Sequence, residues 1–210
     1  MNSSCFDKKL FILNTLEKLF PSPKPSLTYT NGFQLLIAVL LSGNSSDKIV
    51  NKVTPHLFEK APDAHALARL TVSDIAKIIK PCGLSERKAT FISIISRILS
   101  ESNTSDIPDK LEDLTALPGV GRKTALVTLA QWFDQQGFPI DTHIIRLAQR
   151  WGLSLHKSPL KVERDLTAFF LGHDFIKLHL RLIYYGRLFC PARGHKLSCC
   201  IICRKINDFQ

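Results

Sequence analysis

The 210-residue sequence predicts an all-α protein made of short helices. Apolar residues recur at three- and four-residue spacing along most of the chain, which is typical of helices with one buried face. No segment shows the sustained alternation of apolar and polar residues that a half-buried strand would have. Glycine and proline interrupt the helical pattern often, so we expect a compact orthogonal array rather than a long bundle.

Each predicted helix lies between two such interruptions. The first has apolar residues at helical spacing from Leu10 to Phe20 and stops at the proline-rich segment 21–25. Farther along, Pro-Asp, Pro-Cys-Gly and Gln-Gln-Gly sequences separate further periodic segments. In chain order these predicted helices are 33–41, 47–58, 72–79, 87–99, 109–114, 122–133, 142–151, 159–171 and 175–187.

The charge balance favours an anionic partner. The sequence has 28 Lys and Arg residues against 18 Asp and Glu residues, a net charge of +10, which indicates nucleic acid first and an acidic membrane surface second. The longest apolar stretch, Phe33 to Leu41, is about half the length that spans a bilayer, and the N-terminus lacks the features of a signal peptide. We therefore expect a cytoplasmic, nucleoid-associated protein with reduced thiols and no membrane partner.

The segment from Leu111 to Leu129 predicts two short helices joined by a tight Leu-Pro-Gly-Val-Gly turn. Gly119 and Gly121 allow positive φ angles and the close approach of another backbone. Their amides, with that of Val120, would point off the start of the second helix, where partial positive charge and unpaired N–H groups favour a phosphodiester. The pattern indicates a helix-hairpin-helix motif for sequence-independent DNA binding; a plain αα-hairpin is the alternative.

Lys123 lies in the first turn of that second helix, two residues past Gly121. A cation at this end opposes the helix dipole, so the position should lower the pKa of the amine, and a neutral amine is a nucleophile. The alternative role is a second phosphate-binding cation beside Arg122, and the residues alone do not separate the two.

Asp141 stands at the N-cap position of the helix that contains Arg146 and Arg150. Capping is the simplest role, and it keeps the carboxylate ionised, which also suits an electrostatic or basic role at a reacting centre. His143, in the first turn, is a candidate to contact phosphate or to support the carboxylate, with simple packing as the alternative.

Two segments, LPGVGRKTA at 117–125 and IDTH at 140–143, together resemble the endonuclease III family of the helix-hairpin-helix-GPD glycosylase superfamily. The resemblance extends over nearly the whole chain. It includes a buried helix with its following loop at 33–47, a second loop at 82–89, and YGRLFC at 185–190, which leads into a cysteine-rich segment. Each motif is moderately specific, and their shared order and separation are highly specific.

The resemblance implies a bifunctional DNA glycosylase and AP lyase of base excision repair that acts on oxidised pyrimidines. Lys123 matches the family's catalytic lysine, which would attack C1′ of the damaged nucleoside and form a Schiff base that drives β-elimination. Asp141 matches the catalytic aspartate, which would assist deprotonation and stabilise positive charge on the sugar. Leu84 matches an apolar wedge in the opened duplex. Asn44 stands where the family usually has glutamine, so its contact to the opposite base has less reach.

The implied partner is double-stranded DNA with a damaged base or an abasic site, bound by a monomer. The implied architecture has two helical lobes with a cleft between them. Residues 25–135 would form a six-helix lobe that bears the hairpin, at about 111–129, and residues 1–24 with 136–210 would form the second lobe. The flipped nucleotide would lie in the cleft, with the catalytic lysine and aspartate on opposite walls.

Four of the six cysteines lie in the C-terminal segment 190–203. Family members commonly hold a [4Fe–4S] cluster on the spacing C-x6-C-x2-C-x5-C, whereas this chain reads C-x8-C-C-x2-C. Four thiolates are still available, so the resemblance implies a [4Fe–4S] cluster, with zinc or no metal as alternatives. The basic residues Arg193, His195 and Lys196 would rest on the DNA backbone. The candidate metal ligands are Cys190, Cys199, Cys200 and Cys203.

Three other functions are compatible with parts of this pattern. A glycosylase of the same superfamily specific for mismatched adenine would usually lack a lysine at position 123 and carry an extra C-terminal domain. A non-catalytic helix-hairpin-helix DNA-binding module would tolerate Lys123→Ala. A small iron–sulfur redox protein would require neither the hairpin nor Asp141.

Overall fold

The structure, a computed structural model, describes residues 3–102 and 106–207. Residues 1–2, 103–105 and 208–210, which belong to the two predicted lobes, lie outside the described residues. The described residues form twelve α-helices and no β-strand, which confirms the all-α prediction. In this part of the chain, no helix combines the length and the apolar character needed to cross a membrane. The helices are α1 (Ser3–Leu19), α2 (Gly32–Ser42), α3 (Asp47–Lys60), α4 (Ala64–Ala68), α5 (Val72–Ile79), α6 (Ser85–Glu101), α7 (Leu111–Ala116), α8 (Arg122–Trp132), α9 (Thr142–Arg150), α10 (Pro159–Phe169), α11 (Phe175–Leu188) and α12 (Ile201–Asn207).

Two short helices, α4 and α12, are absent from the sequence prediction. Helix α4 has five residues, too few to show a periodic pattern, and it starts because an Asp63 carboxylate oxygen accepts a hydrogen bond from Ala66 N at 2.8 Å. Helix α12 falls in the cysteine-rich segment, where the sequence predicts a metal-binding loop. Its residues Ile202 and Ile206 are both buried, so this segment contributes to a hydrophobic core.

The helices divide into two compact units. Residues 26–135 form one, called here the hairpin unit, and residues 1–25 with 136–210 form the other, called here the terminal unit. Each unit has its own hydrophobic core. The cleft expected between the two lobes stays a prediction.

Helix α2 is the centre of the hairpin unit, because every residue from Gly32 to Leu41 is buried. It packs against α3, α6 and α8. Its buried polar residue, Gln34, is satisfied: the side-chain amide donates to Pro62 O at 3.1 Å and accepts from Thr30 N at 3.1 Å. A helix held on all sides gives the loop that follows it a rigid base, and this loop contains Asn44.

The core of the terminal unit is mainly aliphatic and includes four buried aromatic residues, Phe138, Trp151, Phe170 and Tyr185. Trp151 and Tyr185 meet edge to face with ring centroids 5.6 Å apart, and both are fully buried. The buried His179 donates from Nδ1 to Pro139 O at 2.8 Å. Because Pro139 lies two residues before Asp141, this bond helps to set where the carboxylate emerges from the core.

Candidate active site and metal centre

The turn between α7 and α8 requires glycine at position 119. Gly119 has a φ of 78°, and a Cβ atom there would lie 2.7 Å from Cγ of Phe91. Val120 is buried, and its amide donates to Leu117 O at 3.1 Å. The Val120 amide is therefore used within the turn, contrary to our expectation that it faces a ligand.

Gly121 differs from Gly119 in both conformation and surroundings. It is the N-cap residue of α8 with a φ of −85°, so it does not use the positive φ that glycine allows. A Cβ atom at Gly121 would meet nothing within 4 Å. Within the described residues, neither the Gly119 nor the Gly121 amide has a hydrogen-bond partner. The turn thus presents two backbone donors and open space on one side.

The first turn of α8 contains only basic charge. Arg122 is exposed and Lys123 is half-buried, and the turn has no acidic residue. The partial positive charge of the helix start adds to these two cations, which makes the surface favourable for an anion. Arg122 is therefore more accessible to solvent than Lys123.

Asp141 caps α9, as the sequence predicts. Its Oδ1 accepts a hydrogen bond from Ile144 N at 2.9 Å, and the residue is half-buried. Burial lowers the pKa of the neighbouring His143. The Arg146 guanidinium lies 3.0 Å from Nδ1 of His143 and can only donate, so Nδ1 accepts and the imidazole is neutral.

Asn44 and Leu84 both occupy exposed loop positions with left-handed backbone. Their φ angles are 60° and 50°, and among the described residues only Asp134 is a further non-glycine residue of this kind. Leu84 exposes 59% of its surface. An apolar side chain held outward on a strained backbone suggests a functional constraint, since neither feature stabilises the free protein.

The loops that carry Asn44 and Leu84 are joined by Lys88, a residue that the sequence analysis does not single out. Its Nζ donates to Leu41 O and to Cys82 O, each at 2.9 Å, and the residue is only 6% exposed. Ser45 adds a second link, from Oγ to Cys82 O at 2.6 Å. Burial lowers the pKa of Lys88. The neighbouring residues in the sequence ERKA at 86–89 are typical of an exposed helix face, so the sequence alone does not predict that Lys88 is buried and links the two loops.

Four side chains at the C-terminus form a compact group of metal-ligand type, called here the C-terminal donor group. One ligand atom from each lies within 4.8 Å of all the others, and the three sulfur ligands are buried. The sulfurs of Cys190 and Cys203 are 3.7 Å apart. The members of the group are Cys190, His195, Cys200 and Cys203.

The donor group contains three of the four predicted ligands. Cys199 is exposed and lies outside it. A 3-10 turn ends at Cys199, and the Cys200 amide donates to Leu197 O at 3.1 Å, so the adjacent side chains of Cys199 and Cys200 diverge. His195 takes the fourth place instead. Sequence analysis assigned His195 to DNA contact because it lies between two basic residues.

The chemistry of this donor group fits a metal cation. The three buried sulfurs hydrogen-bond to one another, and these contacts lower the pKa of the Cys200 thiol while they raise the pKa of the Cys203 thiol. Nε2 of His195 is shielded from solvent and has no hydrogen-bond partner among the described residues. Thiolates and a neutral imidazole are the ligands of zinc and of iron–sulfur centres. One ring nitrogen of His195 lies within 4.8 Å of all three sulfurs, and the imidazole hydrogen-bonds to Cys200, so the four side chains are already gathered as a metal site requires.

Comparisons with known proteins identify the family of this chain. Residues 37–170 match the family described as HhH-GPD superfamily base excision DNA repair protein. The chain belongs to this superfamily. An endonuclease III from Synechocystis sp. is 42% identical over 183 residues, which cover 87% of this chain and 84% of the relative. An endonuclease III from Haemophilus influenzae is 38% identical over 195 residues, covering 93% of this chain and 92% of the relative.

A solved structure of a trapped endonuclease III–DNA covalent intermediate has the same fold. It aligns with a TM-score of 0.87 at 32% identity and covers 98% of this chain and 99% of that chain. These findings confirm the resemblance inferred from the sequence motifs.

In this HhH-GPD protein the candidate site residues come from both units. Lys123 belongs to the hairpin unit and Asp141 to the terminal unit, so their approach to each other stays a prediction. Arg193 and Lys196 are both exposed, on the segment between Cys190 and Cys200. The donor group therefore anchors both ends of a short basic loop.

Proposed function

We propose that this chain is a bifunctional DNA glycosylase and AP lyase that removes oxidised pyrimidines from double-stranded DNA. The observation that carries the proposal is Lys123 in the first turn of α8, directly after a glycine turn with two available backbone donors. The similarity to an endonuclease III caught in a covalent DNA intermediate supports covalent chemistry at this lysine.

In the proposed reaction, the neutral amine of Lys123 attacks C1′ of the damaged nucleoside, and the bond from C1′ to the base breaks. The departing base takes up one of the two protons of the attacking amine, and the sugar ring opens with protonation of O4′ by solvent, which gives a protonated Schiff base. Loss of a proton from C2′ then expels the 3′ phosphate by β-elimination. Water hydrolyses the imine and returns the lysine. The helix start and Arg122 raise the cost of a protonated Lys123, which favours the neutral amine that this reaction needs.

Asp141 is the proposed electrostatic partner of this reaction. One of its carboxylate oxygens caps α9, which holds the side chain in place and leaves the second oxygen to face the sugar. A carboxylate there would stabilise the positive charge that develops as the base leaves. Asp141→Asn separates the two roles, because asparagine caps helices as well as aspartate does. We expect this variant to melt like wild type and to excise bases far more slowly.

The exposed loops of the hairpin unit are proposed to hold the duplex open. Leu84 would fill the space that the extruded nucleotide leaves, and Asn44 would face the base opposite. Their left-handed backbones and the shared Lys88 link support this assignment, because they fix the two side chains in rigid, outward positions.

The C-terminal donor group is proposed to hold a metal centre that rigidifies the loop bearing Arg193 and Lys196. A folded basic loop can contact DNA phosphates without losing entropy on binding. The resemblance implies a [4Fe–4S] cluster here, and iron analysis with absorbance near 400 nm tests that form.

Borohydride trapping tests the proposed chemistry. Reduction of the Schiff base should link wild-type protein covalently to duplex DNA that contains an oxidised pyrimidine, and Lys123→Gln should abolish the product. Arg122→Gln is the matched control, since it removes the neighbouring cation and should weaken binding while still allowing trapping. If Lys123→Gln traps as well as wild type, the chain uses another nucleophile, and if wild type gives no trapped product, the chain is a non-catalytic DNA-binding module.

We also propose that the chain acts as a monomer on chromosomal DNA in the cytoplasm. Most contacts would go to phosphates, so the binding constant should fall steeply with salt concentration. A flat salt response in fluorescence anisotropy would contradict phosphate-dominated binding. Light scattering on the protein–DNA complex should give the mass of one chain per duplex.

A further inference from the structure

We propose that the C-terminal donor group binds a single zinc ion rather than a [4Fe–4S] cluster. The first argument is distance. A zinc ion with zinc–sulfur bonds of about 2.3 Å holds two sulfur ligands about 3.8 Å apart in a tetrahedron. The sulfurs of Cys190 and Cys203 are 3.7 Å apart, and no pair of ligand atoms in the group exceeds 4.8 Å.

A cubane cluster requires a wider arrangement. Each of its thiolates binds a different iron atom, so the sulfurs stand apart by more than the edge of a single-ion tetrahedron. The donor group is too compact for that. It is a cage for one ion, and the [4Fe–4S] expectation does not fit these residues.

The identity of the fourth ligand is the second argument. His195 places a ring nitrogen within 4.8 Å of all three sulfurs, while Cys199 is exposed and lies outside the group. Three thiolates with one imidazole form a recognised structural zinc set, and a closed set of four matches a structural rather than a catalytic site. The unusual spacing of the cysteines then has a simple origin, because the second ligand is not a cysteine.

The surroundings of the group also fit a zinc centre. Three thiolates around a divalent ion leave one negative charge, and Arg150 donates to Cys190 Sγ at 3.1 Å, which offsets it. Tyr185 places its hydroxyl 3.3 Å from Cys200 Sγ and accepts a hydrogen bond from Ile202 N at 2.9 Å. That leaves the hydroxyl proton to stabilise a sulfur ligand.

Metal analysis of the full chain tests the proposal. The protein is expressed in medium that supplies both iron and zinc, purified without oxygen, and analysed for zinc, iron and acid-labile sulfide. We expect about one zinc per chain, no sulfide, and no broad absorbance near 400 nm. A cobalt-substituted sample should show the visible bands of a tetrahedral site with thiolate ligands. Four irons with matching sulfide, or no metal of either kind, would overturn the proposal.

Ligand variants distinguish the two candidates for the fourth position. His195→Asn should lose bound zinc, whereas Cys199→Ser, at a neighbouring exposed thiol, should keep the wild-type amount. Loss of zinc from Cys199→Ser with retention in His195→Asn would overturn the ligand assignment. His195 lies on a half-exposed loop, so its variant should fold; circular dichroism checks this. These measurements of metal content do not depend on glycosylase activity, so they test the zinc site independently of the proposed function.

Discussion

Two glycines in one turn provide a sharp test of how the hairpin works. Gly119 and Gly121 are two residues apart, yet they differ in backbone conformation and in the space around the α-carbon. At Gly119 an alanine would have an unfavourable backbone conformation, because φ is 78°. Its methyl group would also meet the ring of Phe91. At Gly121 the backbone suits any residue and the methyl group meets only open space.

The expected stability changes follow from these contacts. For Gly119→Ala, left-handed backbone costs about 1–2 kcal/mol, and displacing a packed ring costs about 1–3 kcal/mol more. Phe91 is half-buried and packs against the core of the hairpin unit, which limits how far its ring can move away. We expect a loss of about 2–5 kcal/mol in the free energy of unfolding. For Gly121→Ala, a weaker N-cap and a less flexible unfolded chain oppose each other at about 0.5 kcal/mol each, so the net change should be near zero.

The order of the two variants should reverse for DNA binding per folded molecule. Gly121→Ala, the more stable variant, should bind DNA more weakly than Gly119→Ala. The Gly121 methyl group would occupy the open side of the turn, where a phosphate would approach the backbone donors. Losing one charge-assisted hydrogen bond of about 1.5 kcal/mol weakens binding roughly tenfold. Urea unfolding and fluorescence anisotropy with an abasic-site duplex measure the two effects. If Gly121→Ala binds as tightly as wild type, or unfolds as easily as Gly119→Ala, the proposed phosphate site is misplaced.

Three further predictions test the loops and the pH response. Leu84→Gly should relieve left-handed strain and raise the free energy of unfolding by about 1 kcal/mol, yet slow excision of paired lesions; a lower melting temperature would contradict the strain argument. Lys88→Met leaves the carbonyls of Leu41 and Cys82 without their donor, which should cost about 1–3 kcal/mol in urea unfolding, and an unchanged midpoint would show that the link contributes nothing. Burial lowers the pKa of His143 below its usual 6.5, so its stabilising contribution is complete above that pH and is lost as pH falls through the lowered value. Acidification should therefore reduce the melting temperature of wild type more than that of His143→Gln, and parallel curves would exclude this residue.

Much of the fold follows from local patterns in the sequence. Helix α2 could be predicted because the seven consecutive apolar residues from Leu35 to Leu41 would otherwise face water, and α9 because Asp141 supplies its cap. Helix α12 could not, since its pattern is short and its cysteines suggested a loop. Its burial depends on Tyr185 and other distant residues, which local periodicity does not report.

The candidate site, like the fold, has parts that the local sequence predicts and parts that it does not. The glycine turn and the residues beside it are a continuous segment, so the sequence shows their spacing directly. The role of the Val120 amide depends on backbone angles within the turn, and here the expectation that it faces a ligand was wrong. Lys88 and His195 depend on contacts between distant segments, and nothing in their immediate neighbours distinguishes them from exposed basic residues.

One helix connects the donor group to the proposed carboxylate. Asp141 caps the start of α9, and two arginines farther along the same helix contact the first cysteine ligand: Arg146 Nε donates to Cys190 O at 3.1 Å, and Arg150 donates to Cys190 Sγ at 3.1 Å and to Pro191 O at 2.9 Å. Helix α9 has nine residues, so it moves as a rigid rod. Metal bound at Cys190 would fix the position of that cysteine, and through the two arginines it would fix the start of the helix. The metal centre is thus expected to support the geometry of Asp141 as well as the basic loop, although it lies outside the reaction itself.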